Sequence, residues 1–560
     1  MNFSDKFINW LKIFYDDPQV AMYVNGHIGE TFITTRGIRQ GCPLSAILYV
    51  LFIESLGQYI RANKLIHGFK LPGTTEETKL AQYADDLSFF LAQRTDLNNL
   101  FDALHVFERA SGSKIKQTKT QSLCLGGAKP QPCQTKINWR DGLGIKILGI
   151  TFLTDPLHTT NYNWRLLCQQ LEEQINYSKQ RQLSFRGKVI MLNSKLLAPL
   201  WYLGAVFPVP DWYEKHINKL IFRYLWGDGK LEAIKRETLF LPKNKGGLGI
   251  FQPKKQSLAL RAKFVRNITD INSPLKWTNI ARYYIGFKLG GLSPEWENLR
   301  DNRYPKPDRN IYPEYYGDVF NLFQRLDIAS IKWYTKFFYE MQVSFENKTP
   351  KAQDRWPHIR PLPFTWPNTW LGIWTTFSPG RYQEIHFKFI HLAIPTYERL
   401  SSWKSTVMPN AYCKQCLVGR NQVTETDVHL FFACPNAYGL WKWVKTIIKK
   451  LLPDHPARCL LYSMNIFPDD VPNNVRKLIL TLIQITMHQI WVNRNSNHLT
   501  QPDPDFRASI TQIKNEFVFI ILSIHKKHSE EHRLPLFRTN YCNNQLIFLG
   551  ADNVVDIDFG

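Results

Sequence analysis

A chain of 560 residues that is 44% hydrophobic has enough apolar material for roughly three to five cored units, which excludes a disordered polypeptide. Seventy Lys and Arg against 47 Asp and Glu leave a formal charge of +23. That excess favours a polyanionic partner through counterion release, nucleic acid first and a membrane surface second. Nine cysteines, an odd number with only Cys413, Cys416 and Cys434 close together, exclude a disulfide framework.

The first residues lack a basic start followed by an apolar core, so they do not read as a secretory signal. Helical spacing predicts a helix over 6–15, stopped by Asp17-Pro18. Residues 20–34 alternate around Asn25-Gly26, the signature of a hairpin. A glycine-marked loop, 36–43, leads into a long apolar helix over 44–63. Residues 80–91 are rich in strand formers, interrupted by Ala84-Asp85-Asp86. An amphipathic helix is expected over 96–111, ending at Gly112, then a short strand over 145–152 with Gly149 inside it. The chain is helical and basic from about 160 to 285. It is rich in Pro and aromatics over 286–370, compact over 370–450, and helical again over 470–530. The longest apolar stretch, 478–492, is broken by Gln484, His488 and Gln489, which predicts a buried helix rather than a membrane span. Most of the 17 Trp sit in apolar runs, so core is the better reading than base-stacking platforms.

Three groups of residues carry chemistry. Tyr83-Ala84-Asp85-Asp86 places two adjacent carboxylates on a turn between two strand-like runs. Hard oxygen ligands of this kind hold Mg²⁺, and a pair of such ions can clamp attacking and leaving oxygens in nucleotidyl transfer; a plain Asp-Asp turn explains the pair equally well on its own. The second group is Arg36-Gly37-Ile38-Arg39-Gln40-Gly41-Cys42-Pro43-Leu44-Ser45. Its glycines permit close backbone approach, its arginines suit phosphate, and Pro43 and Ser45 suit a helix entry. The third, Cys413-x2-Cys416-x12-His429-x4-Cys434, has the spacing of a closed, structural zinc site. Lys179, Arg181, Arg186, Lys188, Lys243, Lys245, Lys254 and Lys255 together suit a phosphate backbone, although each singly reads as a solvated cation. Gly246-Gly247-Leu248-Gly249 suits a tight turn better than a phosphate cradle.

RGIRQGCPLS followed by YADD resembles two successive motifs of the reverse transcriptases of non-LTR (LINE-type) retrotransposons. Further on, Ser111-Gly112-Ser113-Lys114-Ile115 with Lys119 resembles the next family motif, and Leu148-Gly149-Ile150 the primer-grip turn. LWG at 225–227, the GGLG run, Arg381–His391 and the Cys-Cys-His-Cys cluster follow in the family's order. The resemblance implies an α+β fold: a partial palm over 1–155, a helical thumb-like region over 156–285, a connecting region over 286–370, a zinc-knuckle domain over 371–450 and a helical C-terminal region over 451–560. It implies Asp85 and Asp86 as Mg²⁺-binding carboxylates and Lys119 as the group that meets pyrophosphate. Tyr83, Ala84, Arg36, Arg39, Gln40 and Gly41 would lie by nucleotide and template. Arg186, Lys188, Lys243 and Lys245 would lie on the nucleic-acid backbone. The family's first catalytic carboxylate, in a motif like D-x-x-K-A-F-D, has no counterpart in residues 1–35, so the expectation is a truncated polymerase, inactive alone. A non-catalytic RNA- or DNA-binding protein derived from such an element is the alternative. Implied partners are an RNA template and a DNA primer or target, with the element's other encoded protein possible and no membrane. The implied location is the nucleus.

Overall fold

The computed structural model describes the chain except residues 1–2, 35–36, 39–40, 71–76, 94, 127–137, 141–142, 229–231, 274, 276, 301–312, 347, 361, 403–409, 419–421, 497–505 and 560. It divides into two compact units, residues 1–162 with 271–311, and residues 163–270 with 312–560.

The first unit opens with α1 (Asp5–Tyr15), whose N-cap Ser4 accepts from the Phe7 amide, as an N-cap hydroxyl should. β1 (Gln19–Val24) and β2 (His27–Ile33) form the expected antiparallel hairpin. Asn25 and Gly26 sit at φ 49° and 88°, the left-handed pair that a two-residue turn needs to match strand twist. α2 (Pro43–Ala62) begins at the expected Pro43 and buries Ile53, Leu56 and Ile60. These pack against Leu100, Phe101 and Leu104 of α3 (Asp96–Ser111), with Leu80, Leu87 and Phe89 along the edge of the same cluster. Each such side chain, once buried, contributes about 1.5–3 kcal/mol. α2 is apolar and long enough to cross a membrane by length and composition alone; this packed face accounts for Ile53, Leu56 and Ile60, while Ile47, Val50 and Phe52 are exposed. Gly112 closes α3 at φ 71°.

β3 (Phe69–Lys70) pairs with β4 (Glu77–Thr78), β5 (Leu80–Tyr83) with β6 (Asp86–Phe89), and β7 (Gln121–Ser122) runs parallel to β8 (Asn138–Trp139). The strand expected over 145–152 is instead a hairpin of β9 (Ile145–Ile147) and β10 (Ile150–Phe152). Leu148 at φ 46° and Gly149 at φ 86° form its turn, so the glycine reverses the chain rather than sitting within a strand. Among the described residues the strands join only in two-stranded ladders, and no larger palm sheet assembles.

The second unit is helical, with one small ladder of Ile547–Leu549 and Val555–Ile557. α4 (Pro156–Lys179), α5 (Phe185–Met191), α6 (Ala198–Val206) and α7 (Asp211–Trp226) follow one another. A π-helical turn at Leu192–Leu196 and a 42° bend separate α5 from α6, because Pro199 at the start of α6 cannot extend the preceding turn. The Pro- and aromatic-rich stretch holds the helices Glu314–Phe323, Thr335–Ser344, Lys351–Ile359 and Trp366–Trp374. Pro313, Pro350 and Pro367 stand at helix starts, where no amide is needed, and Trp356 and Trp370 are buried. The helix Asn473–Asn495 is buried along most of its length, as expected from its interrupted apolar run. Its Gln484 donates to Ile373 O and to Nδ1 of buried His386, whose Nε2 donates to Ser463 O at 2.7 Å.

Candidate functional sites

The Asp pair lies at the tip of the β5–β6 hairpin. Tyr83 pairs with Asp86, which leaves Ala84-Asp85 as a two-residue turn. Ala84 adopts φ 51°, a left-handed conformation that costs a side-chain-bearing residue about 1–2 kcal/mol. Tyr83, Asp85 and Asp86 are all exposed. The hairpin is tied to α2: Gln82 Nε2 donates to Ile53 O at 3.2 Å, and Gly57 leaves the space that this side chain fills. Burial and the Asp85 charge both push the Tyr49 hydroxyl up, so Asp85 stands near the N-terminal half of α2. That helix issues from the glycine loop, where Gly37 and Gly41 sit at φ 83° and 85°. One support has no signal in the sequence: buried Lys79, just before β5, donates to Arg61 O and Asn63 O at 3.1 and 2.7 Å, neutralising the C-terminal end of α2. Lys119 is exposed in a 3-10 turn, Gln117–Lys119. Arg36, Arg39 and Gln40 lie outside the described residues. Among the described residues no third His, Cys, Asp or Glu joins Asp85 and Asp86 in a metal-sized group.

The cysteine cluster is built differently. An antiparallel bridge between Tyr412 and Thr424 holds Cys413, whose amide donates to Val423 O. The short helix Lys414–Val418 brings round Cys416. A π-helical turn, His429–Ala433, places His429 and Cys434 at its two ends. All four side chains are buried, with their donor atoms within 4.8 Å of one another. The Cys413 and Cys434 sulfurs are 3.8 Å apart, and Cys416 Sγ lies 3.5 Å from His429 Nε2. A disulfide requires about 2.05 Å. A tetrahedron with Zn–S of about 2.3 Å and Zn–N of about 2.05 Å has edges of about 3.8 and 3.6 Å, so the spacing fits zinc. Proton sharing with Cys434 pulls the Cys413 thiol down, and burial pushes Cys416 up to about 11; three thiols packed this closely do not all ionise without a cation between them. Around the cluster, buried Glu425 accepts from the Tyr397 amide and pairs with Arg494 at 2.9 Å. Asp427 accepts from the Ile394 amide and faces Arg399 at 3.5 Å, and burial pushes its carboxyl up to about 6.

Residues 1–152 match the family described as reverse transcriptase (RNA-dependent DNA polymerase). Similarity continues past that domain. Over 334 residues, 58% of this chain, it is 26% identical to the transposon TX1 uncharacterized 149 kDa protein of Xenopus laevis, 25% of which is covered. Over 304 residues, 53% of this chain, it is 24% identical to the retrovirus-related Pol polyprotein from type-2 retrotransposable element R2DM of Drosophila melanogaster, 27% of which is covered. The chain is similar to reverse transcriptases over residues 1–152, and beyond them to proteins of retrotransposable elements. It spans about a quarter of the length of these curated relatives.

In the helical unit the glycine run is a tight turn. The amides of Gly246, Gly247, Leu248 and Gly249 donate to Lys243, Pro242, Leu239 and Leu241 carbonyls, so none is left to cradle a phosphate. A Cβ on Gly247 would run into the Leu241 carbonyl. Asn193, which the sequence did not single out, clamps the turn by donating to Gly249 O and accepting from the Phe251 amide. The turn and α5 border a groove of ≈ 720 Å³ lined by Val189, Asn193, Lys243 and Asn244 among others. Lys243 stands over the Trp374 ring at 5.6 Å, and burial, then the like charge of Arg186, pulls its amine down. Arg186 and Lys243 are therefore neighbours. Arg186 also donates to Gln383 Oε1, and Lys245 is exposed. Lys188 instead donates to Leu225 O at 2.8 Å, near the end of α7, and Lys179, Lys254 and Lys255 pair with Asp228, Asp211 and Glu346. Arg186 and Lys243 are thus a close pair of cations, of which Lys243 lines the groove.

Proposed function

We propose that this chain is the part of a LINE-type RNA-directed DNA polymerase that carries the catalytic hairpin, and that its ancestral reaction copies RNA into DNA from a primer in the target. The observation that carries the proposal is the exposed Asp85-Asp86 pair on a two-residue turn, braced against the helix that follows the RGIRQGCPLS loop. Asp85 would be a Mg²⁺ ligand and Asp86 its neighbouring carboxylate, with Tyr83, Ala84, Gln40 and Gly41 toward the nascent pair and Lys119 toward pyrophosphate. Bound magnesium would supply charge neutralisation at the attacking and leaving oxygens. Arg186, Lys243 and Lys245 would meet the nucleic-acid backbone, and Cys413, Cys416, His429 and Cys434 would hold a structural zinc in a knuckle that docks on RNA. The work would take place in the nucleus, on chromosomal target DNA, with the element's other encoded protein as a further partner.

Two adjacent carboxylates make half of a two-metal site, so the 560-residue chain alone should incorporate no nucleotide. The test is primer extension on an RNA template with Mg²⁺. The bare chain is expected to be silent. A polypeptide that also carries a D-x-x-K-A-F-D-type strand is expected to extend the primer, and Asp85→Asn to abolish that extension; extension that survives Asp85→Asn would sink the proposal. A second reading, a non-catalytic nucleic-acid-binding protein, draws on the lack of a third carboxylate near the pair among the described residues. RNA binding by the bare chain with no activity in the extended one would favour it.

A further inference from the structure

Among the described residues, one further group of side chains in the helical unit has metal-ligand chemistry. Cys168 and Glu172 are four apart on α4 and share a face. His216 projects from α7, and its Nε2 lies 2.6 Å from Glu172 Oε1. One donor atom from each of the three residues lies within 4.8 Å of the other two. The helices are held in register here by Trp164, which is buried, lies 4.5 Å from the Tyr213 ring and donates its indole N–H to Pro208 O. Cys168 is buried while Glu172 and His216 are half-exposed, so the thiol forms the floor of the group and the other two form its rim. The Tyr213 hydroxyl, on the same helix as His216, is buried without a hydrogen-bond partner.

A half-exposed Glu–His pair by itself contributes little to stability, and it does not explain the buried sulfur grouped with it. We propose that Cys168, Glu172 and His216 form a second metal site, open where the knuckle is closed, which takes a zinc-class divalent cation. A sulfur, an oxygen and a nitrogen donor suit a borderline ion rather than Mg²⁺ or Ca²⁺. Three protein ligands with solvent at the rim leave one coordination position for water or a ligand oxygen, the arrangement that separates open zinc sites from structural ones. Tetrahedral edges of about 3.5 Å fall inside the present spread of the group, from the 2.6 Å between Glu172 Oε1 and His216 Nε2 to the 4.8 Å within which all three donors lie.

The test uses the full chain as purified and Co²⁺ as the probe. Wild type is expected to bind one saturable equivalent of Co²⁺ with a thiolate-to-cobalt charge-transfer band, while the zinc content of the knuckle is unchanged. Cys168→Ser is expected to lose that band. His216→Gln, at a half-exposed position that leaves the fold intact, is expected to weaken the binding about tenfold or more. No saturable Co²⁺ binding by wild type, or the same band in wild type and Cys168→Ser, overturns the proposal.

Discussion

The β5–β6 tip and the cysteine cluster both carry residues that the sequence marked for metal, yet they are opposite constructions. At the tip the carboxylates are exposed, and the turn contributes little to the core. At the cluster the donors are buried and wrapped in second-layer ion pairs, Glu425–Arg494 and Asp427–Arg399. A reacting site must keep its ligands open to substrate. A structural site gains from having every position filled by protein, because exclusion of water strengthens each interaction. The comparison teaches that stability and chemistry should separate cleanly under mutation.

The largest expected effect is at the cluster. Cys416→Ser should remove one zinc per chain and unfold the surrounding residues, since structural zinc contributes on the order of 10 kcal/mol of binding free energy. Metal analysis and limited proteolysis check this, and a variant that stays resistant to protease without zinc would break the contrast. Next comes Gly247→Ala. The added methyl meets the Leu241 backbone carbonyl, which cannot move cheaply, so a loss of about 2–4 kcal/mol in denaturant unfolding is expected.

Buried His386 gives a comparable effect through pH. Burial lowers its imidazole from 6.5 to about 4, so the native state keeps it neutral while the unfolded chain takes up a proton below 6.5. Its stability contribution is present above pH 6.5 and is lost as pH falls through the window down to about 4, amounting to about 3 kcal/mol. Urea titrations at several pH values should show this slope, and His386→Asn should flatten it by one proton. Smaller still, Lys243→Ala should weaken RNA binding several-fold and reduce the dependence of log K on log salt by about 1; an unchanged salt slope removes Lys243 from the interface. The smallest expected effect on stability is Asp85→Asn, within about 0.5 kcal/mol in a thermal melt. A large destabilisation there would show that the tip is structural after all.

Much of the candidate chemistry was legible in the chain because it is local. Asn25-Gly26 and Gly112 set a turn and a cap through their own backbone preferences, and the Cys-Cys-His-Cys spacing needs no knowledge of distant residues. At 145–152 strand formers flank Leu148-Gly149 on both sides, which composition alone reads as one strand; the resemblance of Leu148-Gly149-Ile150 to a turn and the left-handed φ values of Leu148 and Gly149 mark the reversal. The Pro-rich stretch at 286–370 shows no helical period by composition, because Pro at a helix start and Pro in a linker look alike; the structure places Pro313, Pro350 and Pro367 at helix starts.

What the sequence determined by itself were the local elements and the identity of the metal-type donors, since both depend on residues a few positions apart. What only the tertiary structure decided was which groups meet. Buried Lys79 on the end of α2, Asn193 on the glycine turn, Arg186 beside Lys243, and Cys168 beneath Glu172 and His216 are brought together across long stretches of chain. The physical reason is that burial, charge pairing and ligand geometry are properties of packed side chains, and packing couples residues that no sequence period connects.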